Sequence, residues 1–79
     1  MTKDTKYYIG VDIGGTKCAV TLACLNNDEL TFLDKTLFPT TTYKETFGSI
    51  VNAVEKYVEK ESISSIGISC GSPLMLKKE

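Results

Sequence analysis

Two apolar runs of the chain meet at the sequence Asp12-Ile13-Gly14-Gly15-Thr16-Lys17. Glycine has no Cβ, so backbone N–H groups beside it can approach an anion closely. In this stretch a carboxylate precedes the glycine pair, and a hydroxyl and an ammonium follow it. The stretch therefore predicts a strand–turn–strand unit that holds the phosphates of a nucleotide. From the local sequence alone, a plain tight hairpin remains an alternative.

The residues on either side of the glycine pair predict two β-strands. Residues 7–13 alternate, which places Ile9 and Val11 on one face of a strand and Asp12 on the other. A carboxylate on such an apolar strand is expected to need a partner. Residues 18–25 are apolar on both faces, which is typical of a strand in the middle of a sheet.

The following segment predicts an edge strand and then an amphipathic helix. Residues 30–38 are interrupted by the charged pair Asp34 and Lys35, which suits a sheet edge. Thr42 and Glu45 have the spacing of a capping box, with Thr42 as N-cap and Glu45 returning to its backbone N–H. The apolar stripe expected to face the sheet consists of Phe47, Ile50, Val51, Val54, Tyr57 and Val58.

A final strand is predicted for residues 63–70, with Ile66, Ile68 and Cys70 on one face. The element order is thus strand, strand, strand, helix, strand. A right-handed crossover through the helix places the last strand parallel to the first and near it. We expect an α/β fold in which one helix covers one face of a mixed sheet.

Composition restricts the class of protein. The chain has 79 residues, which suffice for one small domain or a piece of one. A net charge of −1 gives no electrostatic footprint for nucleic acid or an anionic membrane, and no apolar stretch approaches the ~20 residues of a membrane span. Cys18, Cys24 and Cys70 fit reduced core residues of a cytoplasmic protein. Without histidine or a Cys-x-x-Cys pair, no zinc site is expected.

Two motifs carry a family resemblance. Residues 9–17, IGVDIGGTK, and residues 66–74, IGISCGSPL, resemble the first phosphate motif and the later Gly-Pro loop of the ROK family (repressors, open reading frames and sugar kinases). This family belongs to the actin-like, ribonuclease-H-like ATPase superfamily. The resemblance implies a polar tail at residues 1–6, a partial βββαβ lobe of that fold at residues 7–74, and an atypical tail at residues 75–79.

The resemblance also implies an ATP-dependent kinase lobe for a hexose or N-acylhexosamine, with Mg²⁺ at the phosphates. It assigns the ATP phosphates to Asp12, Gly14, Gly15, Thr16 and Lys17, and the border of the sugar pocket to Gly71, Ser72 and Pro73. The three amides at residues 14–16 are expected to donate to phosphate oxygens, Lys17 to offset the triphosphate charge, and Asp12 to lie near the metal-bound phosphates. An ordinary turn at residues 71–73 and a solvent-exposed Lys17 remain alternatives.

The chain departs from the family at its C-terminal side. The catalytic aspartate, the second phosphate motif and the adenosine pocket of the family come later than Glu79, so we expect the chain alone to be inactive as a kinase. The ending Met75-Leu76-Lys77-Lys78-Glu79 fits either a frameshifted family member or an engineered end. Truncation leaves the last strand with a bare edge, which predicts a dimer or larger assembly.

Two rival functions remain. The first is a fragment of a ROK transcriptional regulator, in which the same lobe senses sugar. The few residues that precede the first strand leave no room upstream for a DNA-reading helix pair, which disfavours this alternative if Met1 is the native start. The second is a small interaction module that keeps the fold without binding nucleotide.

Overall fold

The computed structural model describes residues 5–70 of the chain. The elements are β1 (Lys6–Ile13), β2 (Lys17–Asn26), β3 (Glu29–Pro39), α1 (Tyr43–Lys60) and β4 (Ile63–Cys70). The predicted order of strand, strand, strand, helix, strand is confirmed. Each predicted strand boundary lies within one residue of the observed one.

The strands form one four-stranded mixed sheet in the order β3-β2-β1-β4. β1 is antiparallel to β2, and β2 is antiparallel to β3. β1 is parallel to β4, with Ile13 beside Cys70 at the end of the pairing. The structure therefore confirms that β4 lies parallel to β1 and next to it, and that β3 is an edge strand.

A short hairpin turn joins β2 to β3 at Asn27 and Asp28. Both residues have positive φ, 55° and 72° respectively. A two-residue turn with two positive φ values matches the right-handed twist of the strands, and Asn and Asp tolerate this conformation better than most residues. The polar segment between the second and third strands is thus a tight connection.

The core lies between one face of the sheet and α1. Its buried side chains are Ile9 and Val11 of β1, Val20 and Leu22 of β2, and Ile50, Ala53 and Tyr57 of α1. Cys18, a reduced thiol, is buried on the same side. Burial of these apolar side chains is the main driving force for placing the helix on the sheet. The predicted single helix-covered face is confirmed.

The face of α1 that packs on the sheet differs in part from the predicted stripe. Ile50 and Tyr57 are buried and Val54 packs against the core, as expected. Phe47 and Val58 are instead exposed, at 68% and 49%. The residues that replace them are Thr46 and Ala53, both buried. The hydroxyl of Thr46 accepts a hydrogen bond from the backbone N–H of Thr41, which offsets the cost of burying it. Ala53 is small enough for a close approach of the helix to the sheet.

α1 begins at the predicted N-cap. The Thr42 side chain accepts a hydrogen bond from the backbone N–H of Glu45 at 3.2 Å. Among residues 5–70, the Glu45 side chain makes no return bond to the backbone N–H of Thr42. Only half of the expected capping box is therefore present. The Thr42 hydroxyl thus satisfies one of the N–H groups that a helix start leaves without an intrahelical partner.

β4 carries apolar side chains beyond the area that α1 covers. Ile66 and Ile68 share the face of Ile9 and Val11, beside which they are paired, as predicted. They are nevertheless 47% and 70% exposed, because the core beneath α1 is built from β1 and β2. Among residues 5–70, no helix combines the length and apolarity that crossing a membrane requires.

Candidate functional site

The topology brings several chain segments to one end of the sheet. β1 and β3 run in the same direction, since both are antiparallel to β2, and β4 runs parallel to β1. The C-terminal ends of all three strands therefore lie at the end of the sheet that carries the turn between β1 and β2. α1 starts at the same end of the sheet, because it follows β3 after only Thr40, Thr41 and Thr42. The diglycine turn and the first turn of α1 are consequently neighbours.

Gly14 closes the turn between β1 and β2. Its backbone N–H donates to the carbonyl oxygen of Lys17 at 3.1 Å. A Cβ on Gly14 would lie only 2.7 Å from that oxygen, which is shorter than real Cβ contacts allow. No described glycine has a positive φ. The turn thus requires glycine at position 14 for the close approach of two backbone segments. The predicted strand–turn–strand unit is confirmed.

The bond to Lys17 corrects one part of the expected phosphate site. The amide of Gly14 was expected to donate to phosphate. It donates instead to the carbonyl of Lys17 within the turn. The amides of Gly15 and Thr16 have no acceptor among residues 5–70. A Cβ on Gly15 would meet no atom within 4 Å. The turn therefore presents two unpartnered amides and open space beside Gly15.

The side chains of Thr16 and Lys17 are exposed. Within the described part of the chain, neither side chain makes a hydrogen bond or an ion pair. A hydroxyl and an ammonium are therefore available next to the two unpartnered amides. Such a group of donors favours an anion with several oxygens, since each donor can meet a different oxygen.

Asp12 lies on the sheet face opposite α1. Its Cα neighbours are Ala19 on β2 and Ser69 on β4, and the residue is exposed. The expectation that this carboxylate needs a protein partner is therefore wrong, because solvent reaches it. An exposed carboxylate near the end of β1 fits Mg²⁺, which prefers oxygen ligands and keeps several waters. Among residues 5–70, no three His, Cys, Asp or Glu residues come together as metal ligands.

An open pocket of ≈ 260 Å³ separates the turn from the start of α1. It is lined by Ile13, Gly14, Gly15, Thr40, Thr41, Thr42, Tyr43 and Thr46. Thr46, only 7% exposed, forms its floor. The threonines of this pocket are not among the site residues predicted from the sequence. Their signal was the run of three threonines at 40–42 just before the helix.

Thr40 connects this run to the turn. Its backbone N–H donates to the carbonyl of Thr16 at 2.9 Å, and its hydroxyl donates to the carbonyl of Gly14 at 2.8 Å. The Cys18 thiol lies 3.1 Å from the same hydroxyl. The segment between β3 and α1 is thus hydrogen-bonded to both ends of the turn. The other predicted site residues, Gly71, Ser72 and Pro73, lie outside the described residues.

Comparison with known proteins assigns the family. The model of the ROK family matches residues 8–79, nearly the whole chain, and the chain belongs to that family. No curated protein matches it.

Several solved structures share the fold. A member of the Ppx/GppA family from Aquifex aeolicus superposes with a TM-score of 0.68 at 10% identity, over 84% of this chain. The Aquifex aeolicus PPX-GPPA enzyme gives 0.68 at 11% identity over 84% of the chain. The type II variant of the Aquifex aeolicus Ppx/GppA phosphatase gives 0.66 at 14% identity over 82%. The chain spans 26% of each of these proteins. These likenesses support the actin-like ATPase fold, with the chain as a partial ribonuclease-H-like lobe.

Proposed function

We propose that the chain is the phosphate-binding lobe of a ROK-type, ATP-dependent sugar kinase. In this proposal the turn from Gly14 to Lys17 binds the phosphates of ATP. The observation that carries it is the pair of amides at Gly15 and Thr16, which have no acceptor among residues 5–70, beside the open space at Gly15. Membership in the ROK family supports the same assignment.

The chemistry of the turn suits a polyphosphate. Two fixed amides donate to phosphate oxygens without reorganising, which makes their dipoles more effective than those of water. The hydroxyl of Thr16 adds a third donor, and the ammonium of Lys17 offsets negative charge. Gly14 contributes by closing the turn through its bond to Lys17. In the proposal the four residues of the turn all belong to the phosphate site, with Gly14 in a structural role.

Asp12 has a separate role in the proposal. Its exposed carboxylate is the group of this lobe that would hold Mg²⁺ through water, close to the phosphates. When bound, Mg²⁺ supplies charge neutralisation to the phosphate oxygens. Lys17 acts on the same charge from the β2 side of the turn.

The lobe supplies one wall of a kinase site. Phosphoryl transfer needs a base, the acceptor hydroxyl, the metal and the phosphate held in line, which one wall cannot provide. We therefore expect the 79-residue chain to bind ATP weakly and to transfer no phosphate on its own. The acceptor class in this proposal is a hexose or an N-acylhexosamine.

Titration calorimetry with ATP and Mg²⁺ tests the binding part. At about 10 mM ATP, a site with a dissociation constant near 1 mM would be almost saturated. The variant Lys17→Ala is expected to weaken ATP about tenfold, because a bond from a charged group is lost. Lys6→Ala removes the same charge at the far end of β1, where Lys6 pairs with Leu25, and should leave affinity unchanged. Absence of binding by the unmodified chain would contradict the proposal.

A further inference from the structure

Three hydrogen bonds meet at Thr40, a residue outside the diglycine turn. The backbone N–H of Thr40 donates to the Thr16 carbonyl, which extends the pairing of β2 and β3 by one residue. The Thr40 hydroxyl reaches the Gly14 carbonyl at 2.8 Å, and the Cys18 sulfur lies 3.1 Å from that hydroxyl. Thr40 is itself half-buried, which limits competition from water.

The direction of these bonds follows from counting protons. A threonine hydroxyl has one proton and can accept through its oxygen. Because that proton goes to the Gly14 carbonyl, the Cys18 thiol must be the donor in the second contact. Cys18 is 1% exposed, so its S–H group has no access to water as a competing partner. The hydroxyl rotor of Thr40 is therefore held from both sides.

The bond to Gly14 also fixes the orientation of the next amide. A trans peptide is planar, with its C=O and N–H groups pointing in opposite directions. No cis peptide bond occurs among residues 5–70. Since the carbonyl of Gly14 points to the Thr40 hydroxyl, the N–H of Gly15 points away from it. The Thr40 side chain, from the connection between β3 and α1, thus fixes the direction of the Gly15 N–H, which is proposed to donate to phosphate.

We propose that Thr40 is the positioning residue of the phosphate-binding turn. Its hydroxyl orients the peptide between Gly14 and Gly15, and its backbone N–H holds the following carbonyl of Thr16. The role in ATP binding rests on the proposed function. The control of peptide orientation does not, since it follows from the hydrogen bonds alone.

The test compares Thr40→Val with Thr40→Ser by NMR and by ATP titration of the full chain. Valine keeps the shape and removes the hydroxyl, whereas serine keeps the hydroxyl. In Thr40→Val we expect the Gly14 carbonyl carbon and the Gly15 amide nitrogen to shift, and the dissociation constant for ATP to rise about threefold to tenfold. Thr40→Ser should restore both resonances and the affinity.

The control variant is Thr31→Val, which makes the same chemical change on β3 beside Cys24, far from the turn. It should leave both resonances and the affinity unchanged. A folded Thr40→Val protein with the Gly14 and Gly15 resonances of the unmodified chain would overturn the inference. If the unmodified chain binds no ATP while Thr40→Val moves these resonances, the proposed function fails and the positioning role of Thr40 stands.

A measurement on the unmodified chain covers the case in which Thr40→Val does not fold. The Thr40 hydroxyl proton, donated to the Gly14 carbonyl while its oxygen accepts from the Cys18 thiol, should exchange slowly enough with water to be observed by NMR in the cold. Its resonance should show a cross-relaxation contact to the Cys18 side chain. A Thr40 hydroxyl proton that exchanges rapidly with water would also overturn the inference.

Discussion

The phenol oxygen of Tyr57 lies 2.8 Å from the hydroxyl oxygen of Thr36, which joins α1 to the edge strand β3. Tyr57 is fully buried, so this bond satisfies a polar atom that solvent does not reach. The Lys56 ammonium donates to the same Thr36 oxygen at 3.1 Å and lies 5.1 Å from the centre of the Tyr57 ring. The contact fixes the position of the helix over the sheet at the end away from its N-cap.

Removal of the Tyr57 hydroxyl should lower stability modestly. Tyr57→Phe keeps the buried ring and loses one hydrogen bond, so the free energy of unfolding should fall by about 0.5–1.5 kcal/mol. Tyr43→Phe is the matched control, because Tyr43 is 86% exposed. Urea unfolding followed by circular dichroism measures both. Equal stability of Tyr57→Phe and Tyr43→Phe would show that the Thr36 contact contributes nothing.

Tyr57 should also make the fold sensitive to alkali. Burial raises the pKa of the phenol above its ordinary value of 10.0, and the nearby Asp34 carboxylate raises it further. A raised pKa means that the folded state holds the proton more tightly than the unfolded state. Stability is therefore complete below pH 10 and falls as the pH rises from there toward the folded-state pKa.

Unfolding curves measured from about pH 9 to 11 test this dependence. The unmodified chain should lose stability over this range, and Tyr57→Phe should lose less because it has no phenol at this position. Asp34 responds at the acid end: a hydrogen bond from the Lys35 backbone, followed by the Tyr57 hydroxyl, lowers its pKa below 3.8. The stability that the lowered pKa of Asp34 contributes is present above pH 3.8 and is lost as the pH falls below that value. If the stability of the unmodified chain and of Tyr57→Phe fell equally steeply between about pH 9 and 11, the role of Tyr57 would be refuted.

Alanine at the two turn glycines should have opposite effects. Gly14→Ala places a Cβ 2.7 Å from the Lys17 carbonyl, so the turn must open at a cost of about 1–3 kcal/mol. Gly15→Ala meets no atom within 4 Å and needs no positive φ, so stability should be unchanged or about 0.4–1 kcal/mol higher. Its methyl group would nevertheless occupy the space proposed for a phosphate, and ATP binding should weaken.

Thermal unfolding and ATP titration of both glycine variants separate structure from binding. A Gly15→Ala protein that is stable and binds ATP like the unmodified chain would show that this space is not the phosphate site. A Gly14→Ala protein of unchanged stability would show that the turn adapts without strain.

The outer edge of β4 should mediate self-association. β4 ends the sheet, and the described part of the chain supplies no strand beside its outer edge. Residues 63–70 carry no charge, while Ile66 and Ile68 are exposed. We propose that this edge pairs with β4 of a second copy, because an uncharged strand can align antiparallel to itself about a two-fold axis without repulsion between like charges.

Sedimentation velocity at about 50 µM tests this pairing. The unmodified chain should sediment as a dimer or larger species, and Ile68→Lys as a monomer, since each copy would bring an ammonium to the shared edge. Leu33→Lys makes a comparable change on the opposite edge strand and should still associate. An unmodified chain that stays monomeric would reject the pairing.

The architecture was predictable because its signals are local. The alternation around Ile9, the cap at Thr42 and the diglycine at residues 14–15 each determine a short segment, and the crossover rule then places β4 beside β1. The buried face of α1 was only half predictable. Apolar character suggested Phe47, whereas the buried face of the helix is the one whose Ile50, Ala53 and Tyr57 pack on β1 and β2.

The turn between β1 and β2 was predictable from the sequence, whereas two of its expected contacts were not. The residue types of the turn indicated donors, but only the structure shows that Lys17 engages the Gly14 amide. The open sheet face explains why Asp12 needs no partner. Thr40 was missed because it lies 26 residues from Gly14, a separation across which local patterns carry no information.

NMR titration of the ¹⁵N-labelled chain with ATP tests the central claim most directly. The amides of Gly15 and Thr16 have no acceptor within residues 5–70, whereas that of Gly14 is bonded to Lys17. We predict that the Gly15 and Thr16 resonances move most, with a smaller change at Gly14 and none at Lys6 at the far end of β1. Shifts confined to other parts of the chain, or no shifts at millimolar ATP, would contradict the assignment of the turn to phosphate.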